Sequence, residues 1–333
     1  MTLPALSIQL SNHGDAARVV DDVVRAEAAG VRRAWLSEDL FHRGAMPTAA
    51  AALARTRDIE IAFGVLASQH RHPASLAMDI RSLCELGHGR VIVGLGAGVA
   101  ERGALIDKPA SPPLRIVDEA VTALRTLLSG DALTQQGVLH SANGLRLSPA
   151  EHMEVPPVYV AAVGPKALAQ AGRRMDGAVL TMMCSQEHAR WAAQEVQAAA
   201  RDAGREAVPV VAYIPIAVDA DGARARSRMR GVLGYFIARW SQVAFLSRLF
   251  LDWSDLDEER MKRIRTEFDA GRPLDELIPD ELVDQYCVAG TPDECRRTVE
   301  AFSDAGITEI AFDSGGDLDG VLAFIRSCQS DGD

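Results

Sequence analysis

The chain has 333 residues, with 35 Lys and Arg against 46 Asp and Glu, a net charge of −11 and 48% hydrophobic residues. Such a composition suits a chain with a large core, and the negative balance argues against broad binding to nucleic acid or to anionic membrane. There is no apolar run of membrane-span length, and the five scattered cysteines (Cys84, Cys184, Cys287, Cys295 and Cys328) form no C-x-x-C pair, so no metal is expected and a reducing cytoplasm is.

Residues 6–10 form the first short apolar run, and a helical pattern follows over 15–29. Further strands are expected at 34–37, 59–66, 91–95, 158–162, 178–181, 210–218 and 309–313. Helical patterns at 75–86, 114–128, 166–173 and 187–203 fall between them. Nearly every strand is followed by a helix, which predicts parallel βα units. Eight units in one chain of this length favour a (β/α)8 TIM barrel over an open sheet, with residues 1–333 as one domain. Two stretches exceed a minimal barrel. Residues 131–147, with Gly137 and the turn signal Asn143-Gly144, read as a small strand insertion before the fifth barrel strand. Residues 219–285 read as a helical insertion after the seventh, with Leu233, Phe236, Trp240, Val243 and Phe250 near helical spacing. Those side chains suit core or dimer contacts, or a lid over a flat pocket.

The fourth strand runs into "GRVIVGLGAGVAERG", which invites a dinucleotide-binding reading. That fingerprint needs G-x-G-x-x-G, and Val99 stands where the third glycine must be after Gly94 and Gly96. Starting instead from Gly96 and Gly98 puts Glu101 there, so the reading fails. In a barrel the reacting groups come from strand ends and the loops after them. Those loops here hold Glu38 and Asp39, then "GVLASQHRHP", Glu101 and Arg102, "AAVGPK" and "TMMCS". No serine sits in a G-x-S-x-G elbow, and Cys184 has only His188 nearby. A site so poor in nucleophiles implies that a cofactor carries the reaction. In "AAVGPK" a strand ends at Ala162, and Gly164-Pro165 lead into a helix beginning near Lys166. The segment is either an ordinary strand–turn–helix junction or a phosphate cradle, with the N–H groups of Lys166 and Ala167 pointing outward.

Four segments in order resemble the bacterial luciferase-like flavin oxidoreductases, most closely their branch using the deazaflavin coenzyme F420, which includes methylenetetrahydromethanopterin reductase. They are "AWLSEDLFHRGAMPTAAAALA", "IAFGVL…RHPASLAMDIRSLCELGHGRVIVGLGAG", "PPVYVAAVGPKALAQAGRRMDGAVL" and "VAGTPDECRRTVEAFSDAGITEI". The resemblance implies a cytoplasmic homodimeric oxidoreductase that passes a hydride between deazaflavin C5 and a small organic substrate. It implies a bulge with a cis peptide at Gly64-Val65 behind the ring, continuing through Leu66 and Ala67. Gly96 and Gly98 would line the ring pocket, and Ala162, Val163, Gly164, Pro165, Lys166 and Ala167 would hold the phosphate. Asp39 is the first candidate for proton transfer and Glu38 the second, each with a structural cap or ion pair as its alternative. This chain departs from many relatives at Ala67-Ser68, Val99 and Leu40, so the substrate does not transfer. The rival readings are a monooxygenase using reduced FMN and a non-catalytic flavin-binding protein.

Overall fold

The computed structural model describes residues 3–108, 111–149 and 152–330. Eight parallel strands close into a barrel: β1 (Ala5–Leu10), β2 (Arg33–Leu36), β3 (Glu60–Phe63), β4 (Val91–Gly96), β5 (Val158–Ala161), β6 (Gly177–Val179), β7 (Val210–Val218) and β8 (Glu309–Asp313). Each strand pairs with the next, β8 returns to β1, and β6 meets β7 to complete the ring. The expected (β/α)8 TIM barrel is the observed one.

The pleat explains why these runs become barrel strands. Along β4, Val91, Val93 and Leu95 face outward into the core shared with the surrounding helices, while Ile92 faces the barrel interior. Local caps seat those helices. The Asp15 side chain accepts from the N–H groups of Ala17 and Arg18, and Ser185 accepts from the N–H of His188. Thr291 and Glu294 form a reciprocal capping box.

The interior is filled from the bottom up. Glu309 accepts hydrogen bonds from Ser7 Oγ at 2.7 Å and from Trp35 Nε1 at 2.7 Å, and it pairs with Arg33. Arg33 also reaches Glu60 at 2.7 Å. Above this network Trp35 packs against both Tyr159 and Tyr213, each with its ring centroid 5.8 Å from that of Trp35. A ligand therefore meets a packed floor and can enter only at the strands' C-terminal end.

The expected strand over residues 59–66 is broken. β3 ends at Phe63, a cis peptide joins Gly64 to Val65, and Leu66–Ala67 rejoins the sheet by pairing with Leu95 and Gly96. The bulge is as the resemblance implied. Residues 133–136 and 141–145 form the small antiparallel ribbon. After β7 come helices Gly222–Trp240, Ala244–Leu251, Glu258–Asp269 and Asp280–Tyr286, enclosing a second core of Leu233, Ile237, Phe250 and Tyr286. Phe236 and Trp240 are only half-buried, because the helix turns Ala225, Met229, Leu233 and Ile237 inward at a strict four-residue spacing, and Val243, also half-buried, lies beyond its end as the cap of the next helix. A short strand, Val288–Gly290, was hidden from sequence patterning and extends the sheet along the end of β7. No described helix is long and apolar enough to cross a membrane.

Candidate active site

The barrel mouth is shaped first by close packing around the bulge. A Cβ added to Gly94 would stand 1.9 Å from the Phe63 carbonyl oxygen, and one on Gly96 would be 2.9 Å from a Val65 methyl. The "GLG" of the fourth strand is therefore the seat on which Val65 rests. Gly64 is tighter still: a Cβ there would lie 1.6 Å from the Tyr213 hydroxyl. Val65 is half-buried, with Leu66 and Ala67 buried behind it. Gly98 stands at φ +87° on the exposed rim, against the Gln69 side chain that donates to the Val99 carbonyl at 3.1 Å.

Around this shelf lie buried polar atoms with no hydrogen-bond partner among the described residues: Gln9 Oε1, Ser68 Oγ, His70 Nε2 and Tyr213 Oη. Burial lowers the pKa of His70 and raises that of Asp313, the last residue of β8, whose carboxylate also accepts from the Gly315 N–H at 3.0 Å. Groups left unpaired at a strand end suit a polar ligand better than a structural core.

The loop after β2 separates its two acids. Glu38, with its side chain 7% exposed, grips Arg71 through both oxygens at 2.5 and 2.6 Å and accepts from the Ala45 N–H at 3.2 Å. It ties three elements together. Asp39, 26% exposed, receives Arg102 Nη1 at 2.9 Å on one oxygen and faces His13 Nε2 at 2.8 Å on the other. The His13 ring stacks on His42 at 3.9 Å. Asn12 fixes the loop, accepting from the Asp39 N–H at 3.1 Å and donating to the carbonyls of Asp39 and Arg43 at 3.0 and 2.7 Å. Sequence reasoning missed His13 and Arg102 as partners of Asp39. Arg102, already named among the strand-end groups, lies in the short helix Ala100–Ala104 after β4, and His13 comes just after β1, where the same barrel rule could have flagged it.

The loop after β5 is divided too. Ala162 is turned away, with its N–H donated to the Val179 carbonyl at 3.0 Å and its side chain in the outer core. The helix starts at Pro165, one residue earlier than expected. The Ala167 N–H does not point outward: it donates to the Gly164 carbonyl at 3.0 Å, as the first turn tightens. The N–H groups of Gly164 and Lys166 have no acceptor among the described residues. Gly164 has φ −95°, which any residue adopts, and nothing lies within 4 Å of a Cβ built there. Neither backbone nor packing demands glycine at that position. Open space beside it suits an approaching ligand. Lys166 is exposed.

Comparison with known proteins gives the chain its family and fold. The family described as luciferase-like monooxygenase matches residues 1–309. A 5,10-methylenetetrahydromethanopterin reductase of Methanolobus tindarius is 28% identical over 287 residues, 86% of each chain. The structure of a coenzyme F420 dependent tetrahydromethanopterin reductase from Methanopyrus kandleri superposes with a TM-score of 0.84 at 19% identity, covering 98% of both chains. A monooxygenase from Streptomyces bottropensis superposes with a TM-score of 0.72 at 20% identity, over 98% of this chain and 97% of the other. At such identities the two structures speak for the fold alone.

Proposed function

We propose that this chain, which belongs to the luciferase-like monooxygenase family, is an F420-dependent oxidoreductase acting on a small organic substrate. One observation carries the reading: the bulge at Gly64 and Val65, seated on Gly94 and Gly96, lies at the mouth that also holds the His13–Asp39–Arg102 cluster. The similarity to F420-dependent relatives along most of the chain supports it. Bound F420 supplies hydride transfer at the deazaflavin C5. Val65 would back the ring, and the N–H groups of Gly164 and Lys166 would hold the phosphate.

Asp39 is the proton-handling residue. Arg102 keeps its carboxylate charged-partnered on one side, and His13 on the other can pass a proton between Asp39 and solvent. Glu38 is the scaffold of that loop, because its oxygens are occupied by Arg71 and the Ala45 N–H. The proposal includes a cytoplasmic setting, in keeping with five cysteines that form no disulfide, and a homodimer, which sedimentation equilibrium tests.

Fluorescence titration of the purified protein with F420 and with FMN tests the cofactor. F420 is expected to bind at micromolar concentration or tighter, and FMN appreciably more weakly. Equal or tighter FMN binding replaces this reading with an FMN-dependent monooxygenase. Tight F420 binding without turnover of any reductase or dehydrogenase substrate favours a binding protein.

A further inference from the structure

The inward-facing side chains of β8, β1 and β2 change character towards the strands' C-terminal end. Low in the barrel Glu309 accepts from Ser7 Oγ and Trp35 Nε1, each at 2.7 Å, and pairs with Arg33. Residues two apart on a strand share a face, so Gln9 points inward with Ser7, and Asp313 with Glu309 and Ala311. The register sets Gln9 of β1 between Trp35 of β2 and Asp313 of β8. Here the matching stops. Gln9 is 5% exposed, and its Oε1 is buried with no hydrogen-bond partner among the described residues. Asp313 accepts from the Gly315 N–H at 3.0 Å, and no described Lys, Arg or His pairs with it. Pro215, its neighbour in β7, offers neither a backbone N–H nor a polar side chain.

A buried polar atom left unmet costs stability, and an unbalanced carboxylate costs more, so the fold by itself gains nothing from this pair. Both groups stand around the floor that carries the bulge. Trp35, in register with Gln9, lies 3.2 Å through its Cε3 from where a Cβ on Gly64 would be. We propose that Gln9 and Asp313 form a subsite for a neutral ligand edge in which an N–H lies beside a C=O. The Gln9 amide offers a donor and an acceptor, and the Asp313 carboxylate a further acceptor, a set that pairs with such an edge. A carboxylate or phosphate is excluded, since it would bring a second negative charge beside Asp313 with no cation to balance it. The deazaflavin ring ends in a pyrimidinedione that carries this edge, and an amide or lactam substrate carries it too. The inference rests on the proposed function only in placing a ring or its substrate at the barrel mouth.

Two ligand pairs separate these sources, each titrated by fluorescence into wild type, Gln9→Met and Asp313→Asn. The first pair is the deazaflavin riboside and its N3-methyl derivative, in which the N–H is blocked, added to the unloaded protein. The second is uracil and 1,3-dimethyluracil, added to the F420-loaded protein and read from the cofactor's fluorescence. Methionine keeps the length of Gln9 without its polar atoms. Asparagine keeps an acceptor for Gly315 and replaces the other oxygen with a donor. Wild type should bind the N–H member of at least one pair about tenfold or more tightly than its methylated partner. Both variants should lose most of that preference, with the methylated ligand's Kd moving by less than about threefold. Loss in the riboside pair assigns the subsite to the cofactor ring, and loss in the uracil pair alone assigns it to the substrate. Gln9→Met should unfold at no lower temperature than wild type, because it removes an unmet buried oxygen. A wild type with no preference in either pair, or variants that keep it, overturns the inference. If Gln9→Met does not fold, Asp313→Asn carries the comparison with the same outcomes. FMN binding as tight as F420 overturns the cofactor reading and leaves the subsite standing, because both rings carry the same edge.

Discussion

Gly64→Ala is the sharpest perturbation available at the barrel mouth. The new methyl carbon would stand 1.6 Å from Tyr213 Oη, 2.7 Å from its Cζ and 3.2 Å from Trp35 Cε3. Ordinary carbon contacts are about 3.5–4.0 Å, so the hydroxyl must retreat by roughly 2 Å. It cannot do so freely, because the Tyr213 ring is packed edge-on against a fully buried Trp35. Overpacking of this kind costs about 1–3 kcal/mol, and the depth of the overlap puts Gly64→Ala near the top of that range. Tyr213→Phe removes the colliding oxygen. Alone it should be neutral or stabilising by about 1 kcal/mol, since that hydroxyl is buried without a partner among the described residues. In the double variant the nearest atom becomes the ring carbon, and a shift of less than about 1 Å relieves it. About half the loss should return, a coupling of roughly 1–2 kcal/mol. Urea unfolding of the four proteins, followed by tryptophan fluorescence and far-UV circular dichroism, measures the cycle. Strictly additive losses, or a Gly64→Ala protein as stable as wild type, would refute the packing argument.

Asp39→Asn should leave F420 affinity within about threefold while lowering turnover by about 10²–10⁴-fold on whichever substrate is identified; unchanged turnover returns Asp39 to a structural role. Gly164→Val should fold normally, because nothing lies within 4 Å of an added Cβ, yet weaken F420 about tenfold or more in a fluorescence titration. Lys166→Ala should weaken it less, the backbone N–H groups holding the anion more closely than an exposed side chain. Acid should destabilise the fold through His188. The unfolded residue takes up a proton near pH 6.5, the folded one only at about 4. Stability is therefore lost as the pH falls between those values, by about 3 kcal/mol at most. Comparing urea midpoints at pH 7 and pH 4.5 should show a smaller acid loss in His188→Phe than in wild type.

The barrel was legible in the linear pattern for a simple reason. Strands buried on both faces read as short apolar runs, and their helices read as amphipathic stretches, so β1 to β8 could be counted in order. The break at Gly64 could not be read this way, since "IAFGVLA" is one continuous apolar run whose local composition favours unbroken strand. Only the resemblance to a family pointed to it. Asp39 and Glu38 show the same division. They are neighbouring carboxylates in sequence, and nothing local says which of them is engaged as a scaffold. Arg71, Arg102 and His13, arriving from three other strand-end segments up to 63 residues away, decide that together with Ala45 at the end of the same loop.

What the sequence by itself determined was the set of elements, their parallel order and the loops in which reacting groups must lie, because those follow from local periodicity and strand-end rules. Tertiary structure alone decided which of these groups touch. The glycines of the fourth strand became the seat of Val65 only when β3 was laid beside β4. His188 met Trp253 only when the helix after β6 was packed against the insertion after β7. Contacts between segments distant in the chain depend on how the barrel closes, and no short window of residues encodes that closure.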